Sequence, residues 1–229
     1  MVKQWKHQHP GDWYPEHSGW NIKQVPNPIR PDELIYYLPF HGKTMFEMGG
    51  KVNTHVPVCL DKLNWYDSEV TYKEYLLSVG FEKHVSVDFD PRWADHVDDL
   101  RKPLWDKYGT FDMVTNIGTS EHVSDQRALF ENVHKMTKVG GLYIHLTPYP
   151  GGKDWPRHGQ HYPTYEFFES FAELNGWEIE MMGVDIIKGD NGKPSEHRNL
   201  YARLRKVKDM DFTMPDESLI YFNAQGAIG

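Results

Sequence analysis

Apolar residues along the 229-residue chain fall into two rhythms, and their order predicts the architecture. Phe111, Met113, Val114 and Ile117 make a short apolar strand that breaks at Gly118 and turns polar through His122. After Ser124 the period changes: Leu129, Phe130, Val133 and Met136 share one face of a helix, expected to stop at Gly140-Gly141. Leu142 to Leu146 then read as the next strand. Strand, polar turn, helix and strand form a parallel crossover unit, in which ligands sit at the carboxyl ends of the strands.

Similar units lie on either side. Thr44 to Met48 is an earlier strand, and Thr71 to Val79 a helix with Tyr72, Tyr75, Leu76 and Val79 on one face, closed by Gly80. His84 to Val87 is a strand ending at Asp88, and a short third strand is expected to end near Asp99. Downstream, Pro163-Thr164 opens a helix whose buried stripe is Phe167, Phe168, Phe171 and Leu174 and which Gly176 ends. Trp177 to Val184, a turn around Lys188 to Gly192, and Asn199 to Leu204 make a closing antiparallel hairpin.

The flanks differ from this core. Residues 1–40 interleave Trp5, Trp13 and Trp20 with His7, His9, His17 and several prolines, which oppose a long helix or a central strand. They read as an arm packed on a core of residues 41–208, with 209–229 as a tail. Thr147 to Tyr162 has no period and holds Pro148, Pro150, Gly151-Gly152, Trp155 and His158-Gly159-Gln160-His161-Tyr162. A loop of this length with aromatics and histidines is expected to be a lid.

Composition narrows the function. The formal charge of -8 argues against general nucleic-acid binding, which needs a basic face; Arg198 to Lys208 reads as a local basic patch or as a solvated last strand. Cys59 is alone, which excludes an internal disulfide or a thiolate metal cluster and fits a reducing, cytoplasmic setting. No window reaches the ~20 apolar residues of a membrane span. No metal site is expected, since the amino-terminal histidines are irregularly spaced and His158-x-x-His161 lacks clustered carboxylates.

Glu47 on its strand is followed by Gly49 and Gly50, where a backbone without Cβ atoms lets a ligand approach. The dinucleotide fingerprint GxGxxG is absent, because Lys51, Val52 and Asn53 follow. Asp88, at the end of the second strand, suits a ribose, whose two hydroxyls can both donate to one carboxylate. Asp98 and Asp99 read equally well as turn-forming acids.

This succession, over roughly residues 43–205, resembles the class I S-adenosylmethionine-dependent methyltransferases. The resemblance implies a Rossmann-like, seven-stranded, mostly parallel sheet with helices on both faces and an antiparallel last hairpin strand. It implies S-adenosylmethionine as cofactor, with Glu47, Gly49 and Gly50 near its methionine part, Asp88 on the ribose, Asp99 and Leu100 around the adenine, and Asn116 to Gly118 facing the amino-acid end. The run Gly118 to His122 and the later His158-Gly159 also resemble a methyltransferase-domain subgroup that carries both.

Methyl transfer to a hydroxyl or ammonium acceptor also requires a proton to leave, and histidine is the side chain suited to take it near neutral pH. His122 and His158 are the catalytic candidates, and either can be the base with the other as support. Glu121 binds the cofactor's ammonium, orients His122 or is a plain first-turn acid; His158 and Tyr162 on the loop are expected to contact a small-molecule acceptor, and His161 either contacts it too or is structural. Lys51 to Thr54 stand where the family carries further glycines, so a catalytically silent binding protein on the same fold is the alternative. The sequence leaves the oligomeric state open.

Overall fold

The computed structural model describes residues 43–50, 72–78, 81–149, 158–188, 194–224 and 226. The amino-terminal arm, the 55–68 segment, Gly80, residues 150–157 of the expected lid and the turn at 189–193 lie outside the described residues. The elements follow in order: β1 (Thr44–Met48), α1 (Tyr72–Ser78), β2 (Lys83–Asp88), β3 (His96–Val97), α2 (Trp105–Tyr108), β4 (Phe111–Ile117), a 3-10 turn (Ser120–His122) and α3 (Gln126–Met136). Then come β5 (Thr137–Pro148), β6 (His161–Pro163), α4 (Tyr165–Asn175), β7 (Trp177–Lys188), β8 (Pro194–Lys206), a second 3-10 turn (Glu217–Leu219) and β9 (Ile220–Phe222).

Seven strands form one sheet in the order β3-β2-β1-β4-β5-β8-β7. β1, β2, β3, β4 and β5 are parallel, and β8 runs antiparallel between β5 and β7. The expected seven-stranded sheet with an antiparallel hairpin strand is therefore present. Chain order reverses at β1, whose neighbours are β2 on one side and β4 on the other. Open α/β sheets bind ligands at such a reversal, outside the carboxyl ends of the strands.

Side-chain alternation builds a hydrophobic cluster on each face of the sheet. Phe46, Met48, Val85, Val87, Val114 and Tyr143 pack with Leu129, Phe130 and Val133 of α3 and with Phe167, Phe168 and Phe171 of α4. The phenylalanines touch one another, with Phe130 and Phe167 centroids 4.6 Å apart. Met45, Met113, Leu142, Ile144 and Leu146 point the other way and meet Leu76 of α1. Each fully buried side chain of this size stabilises the fold by about 1.5–3 kcal/mol.

The helix ends are chemically set. Asp125 caps α3 by accepting from the Ala128 amide at 2.9 Å, and Thr164 caps α4 by accepting from the Phe167 amide. Gly176 closes α4 in the left-handed conformation, at φ +70°. Such caps contribute about 1 kcal/mol each.

Several boundaries differ from the sequence reading. α3 ends at Met136, not at Gly140-Gly141, and β5 starts at Thr137. The glycines lie inside β5, where the pairing with β4 slips between Phe111 and Met113 and Gly140 has φ +84°. A strand that bulges through glycine gives the same sequence signal as a helix stop. β5 also runs on to Pro148, and His161–Pro163 pairs with Ile220–Phe222, so both described ends of the expected lid belong to strands. β3 ends at Val97, two residues short of the expected Asp99. Among the described residues no helix is long and apolar enough to cross a membrane.

Asp112 fastens β4 to the start of β1. Its Oδ2 accepts from the Lys43 amide at 3.0 Å and from the Thr44 amide at 2.9 Å and hydroxyl at 2.8 Å, and its Oδ1 accepts from Lys138 Nζ at 2.8 Å. Desolvation raises its pKa, but the Lys138 ion pair and the hydrogen bonds from Lys43 and Thr44 outweigh it and hold the carboxyl at about 2. A carboxyl depressed from 3.8 on folding stabilises the protein above its unfolded value and loses that effect as pH falls through its folded value. Asp112→Asn should therefore cost about 2 kcal/mol at neutral pH. In urea unfolding, the gap between wild type and variant should shrink between about pH 4 and pH 2; a gap that does not change with pH would mean that the charge contributes nothing.

Candidate active site at the carboxyl ends of the central strands

The site begins with a close approach between two strand ends. β1 ends at Met48, and Gly49 turns away at φ +75° with its amide donating to the Val87 carbonyl at 2.9 Å. β4 ends at Ile117, and Gly118, at φ +69°, donates to the Leu146 carbonyl at 2.9 Å. Thr119 follows, and its hydroxyl donates to the Met48 carbonyl at 3.0 Å. A Cβ on Gly49 would lie 1.7 Å from that Thr119 oxygen, so no larger residue fits. A Cβ on Gly118 would meet only Glu121 Oε1, at 3.9 Å, so the backbone there borders open space.

A cleft of about 180 Å³ opens between these two glycines. It is lined by Gly49, Val87, Asp88 and Phe89 at the ends of β1 and β2, and by Gly118, Thr119, His122 and Val123 after β4. Asp98 and Leu100 complete the lining. The Asp88 carboxylate is oriented by two backbone donors, the Gly50 amide to Oδ2 at 3.0 Å and the Asp90 amide to Oδ1 at 2.9 Å. A carboxylate oxygen has two lone pairs, so each still has capacity for one further donor.

The polar turn after β4 is held from beneath by Asn116, which is fully buried. Its Oδ1 accepts from the Ser120 amide at 2.9 Å, and its Nδ2 donates to Ser120 Oγ at 2.6 Å and to His145 Nδ1 at 2.9 Å. Burial pushes the His145 imidazole down to about 3, so it is neutral. With Nδ1 accepting, Nε2 carries the proton and donates to Thr147 Oγ1 at 2.9 Å. Burial likewise pushes the Tyr143 hydroxyl, 3.1 Å from the same Nδ1, well above its usual value.

On this platform Glu121 is wholly buried. Its Oε1 lies 3.3 Å from His158 Nε2 and 3.9 Å from His122 Nε2, and its Oε2 has no hydrogen-bond partner among the described residues. The two imidazole rings are 4.8 Å apart at 67°. Gly159 makes the closeness possible, since a Cβ there would lie 2.6 Å from Glu121 Cγ, and the Gln160 amide donates to the Glu121 carbonyl at 2.7 Å.

The structure thus brings Gly49, Asp88, Leu100, Gly118 and His122 around one cleft, with Glu121 and His158 beside it. Other sequence candidates stand elsewhere. Gly50 serves through its amide on Asp88. Glu47 falls on the Met45 side of β1, buried, with Oε2 3.2 Å from His84 Nε2 and with Oε1 unbonded among the described residues. Asp99 forms a two-pronged pair with Arg101 at 2.9 Å, which holds its carboxyl below the usual range, and it borders a small adjoining hollow instead of the cleft. Asn116 is committed to the platform. His161 lines a separate cavity with Arg127 and Glu217, and burial lowers its pKa. The Tyr162 hydroxyl is taken up by Gly159, accepting from its amide at 2.8 Å and donating to its carbonyl at 2.9 Å.

Sequence reasoning missed Asp98, Phe89 and Thr119 as lining residues. Asp98 is one position from the expected acid, and its carboxyl is held low by Lys107, with Tyr108 also bonded to it. Phe89 carried a usable signal, as the apolar residue directly after the strand-end acid.

No protein-family model matches the chain, and no curated protein matches it. Solved structures do. TehB from Haemophilus influenzae superposes with a TM-score of 0.54 at 12% identity, over 79% of this chain and 63% of that one. A S-adenosylmethionine-dependent methyltransferase from Mesorhizobium loti gives 0.50 at 15% identity, over 76% and 96%. Another, from Anabaena variabilis, gives 0.50 at 12%, over 76% and 82%. Strand order, the antiparallel insertion of β8 and these superpositions agree: the chain has the class I S-adenosylmethionine-dependent methyltransferase fold.

Proposed function

We propose that the protein transfers a methyl group from S-adenosylmethionine to the oxygen or nitrogen of a small-molecule acceptor. The observation that carries this reading is the cleft at the reversal of strand order, which a bare glycine backbone and an oriented carboxylate line together. Its residues fit the cofactor. Asp88 has one lone pair per oxygen left for the two ribose hydroxyls. Val87, Phe89 and Leu100 are the apolar bracket for a flat base, with Asp98 beside them as acceptor for an exocyclic amine. Gly118 leaves room for the amino-acid end.

When bound, the cofactor supplies a methyl group on a positively charged sulfur. The chain's own work is to align the acceptor with that methyl and to keep water out. A hydroxyl or ammonium acceptor must also be brought to its deprotonated form. His122, which lines the cleft, together with Glu121 and His158, is the group placed to do this.

Two measurements test the reading. Calorimetric titration with S-adenosylhomocysteine should show binding, and Asp88→Ala should weaken it by about 1.5–3 kcal/mol, as for a hydrogen bond to a charged group. Unchanged affinity in a folded variant would remove Asp88 from the site, and NAD binding in place of S-adenosylhomocysteine would make the protein a different kind of enzyme.

The second measurement is kinetic. His122→Ala should lower the turnover rate by roughly 10²–10⁴ while shifting S-adenosylhomocysteine affinity little, because the group acts in the transition state. If His122→Ala and His158→Ala each change the rate by less than about threefold, transfer proceeds by alignment alone.

A further inference from the structure

Glu121, His122 and His158 do more than meet at the mouth of the cleft. Their ligand atoms all lie within 4.8 Å of one another. The set of two imidazoles and one carboxylate is a known donor set for a divalent transition ion, with further positions left for water or substrate. Bonds of about 2.0–2.2 Å require such donors to stand near the spacing found between Glu121 Oε1 and His158 Nε2, 3.3 Å. His122 Nε2 lies 3.9 Å from the same oxygen.

Burial supports the assignment independently. The Glu121 side chain has no exposure, and its Oε2 accepts no hydrogen bond among the described residues. A buried, incompletely bonded carboxylate is costly, and an ion is one of the few things that removes the cost. The geometry is closed on one side and open on the other. Gly159 and the Gln160 amide fix Glu121 from behind, while His122 and His158 are 28% and 38% exposed and His122 faces the cleft.

We infer that Glu121, His122 and His158 bind a divalent transition-metal ion of the zinc type, and that the acceptor oxygen coordinates it. This rests on the methyl-transfer reading of the cleft for its role, though not for the binding itself. The ion acts as a Lewis acid. The acceptor O–H gives its proton to solvent on coordination. The oxygen lone pair then forms the new O–C bond, the S–C bond breaks, and its electron pair stays on sulfur as a neutral thioether. The methyl ether, a poorer ligand than an oxyanion, leaves the ion.

The full-length protein, stripped with a chelator, should take up one Co²⁺ per chain with a visible d–d absorption, and Zn²⁺ should displace it. Glu121→Gln, which keeps the side chain's shape, and His158→Ala, at a half-exposed position, should each weaken Co²⁺ by at least about tenfold. Their affinity for S-adenosylhomocysteine, read by calorimetry, should change by less than about twofold. His161→Ala, in the separate cavity, should bind Co²⁺ like wild type. The inference is overturned if wild type takes up no ion, or if folded His158→Ala binds it as tightly as wild type. If Co²⁺ is not bound while S-adenosylhomocysteine is, the metal site falls and the methyl-transfer reading stands. If Co²⁺ binds at these three residues and S-adenosylhomocysteine does not, the ion site stands and the methyl-transfer reading falls.

Discussion

Everything at the site depends on how closely Gly49 and Thr119 approach. The end of β1 and the turn after β4 share a space too small for one carbon, and the Thr119 hydroxyl bonds the Met48 carbonyl across it. Positive φ at Gly49 and Gly118 turns both chains away from the sheet at the same level. The two turns separate above that contact, and the cleft is the space between them. A side chain at Gly49 would strain the backbone as well as collide with Thr119. The sheet reversal therefore supplies the site's position and glycine supplies its opening.

A second constraint is the burial of polar groups beneath the turn. Asn116, Ser120, Tyr143, His145 and Thr147 form one hydrogen-bonded network in the core. Each member is satisfied, so the network fixes a single arrangement in place of costing stability. Its rigidity is what allows Glu121, on the same turn, to be buried facing two imidazoles. The site is thus layered, with a neutral bonded platform below, a buried carboxylate above it, and partly exposed histidines at the cleft.

Most of the fold was legible in the sequence because each face of each element is marked. Met45 against Phe46, and Met113 against Val114, show the alternation directly, and the phenylalanines of α4 repeat at helical spacing. Gly140-Gly141 misled because glycine marks both helix ends and bulged strands, and only pairing to β4 separates them. At the site, Gly49, Asp88, Leu100 and Gly118 were legible because strand ends and glycines are local signals. Asp99 was preferred to Asp98 because spacing alone does not say which of two adjacent acids borders the cleft; both are ion-paired, Asp98 with Lys107 and Asp99 with Arg101, and it is Asp98 that lines it. The grouping of Glu121 with His158 was not legible. The two are 37 positions apart, and only the β6–β9 pairing and the contact of Gly159 with Glu121 bring them together.

The central claim is that the cleft between Gly49 and Gly118 holds S-adenosylmethionine. A crystal structure of the protein with S-adenosylhomocysteine tests it most directly. The account predicts the ribose hydroxyls on Asp88, the base between Phe89 and Leu100, and the sulfur directed toward His122. Density for the ligand anywhere else, or a cleft filled by protein side chains in crystals grown at saturating ligand, would contradict it.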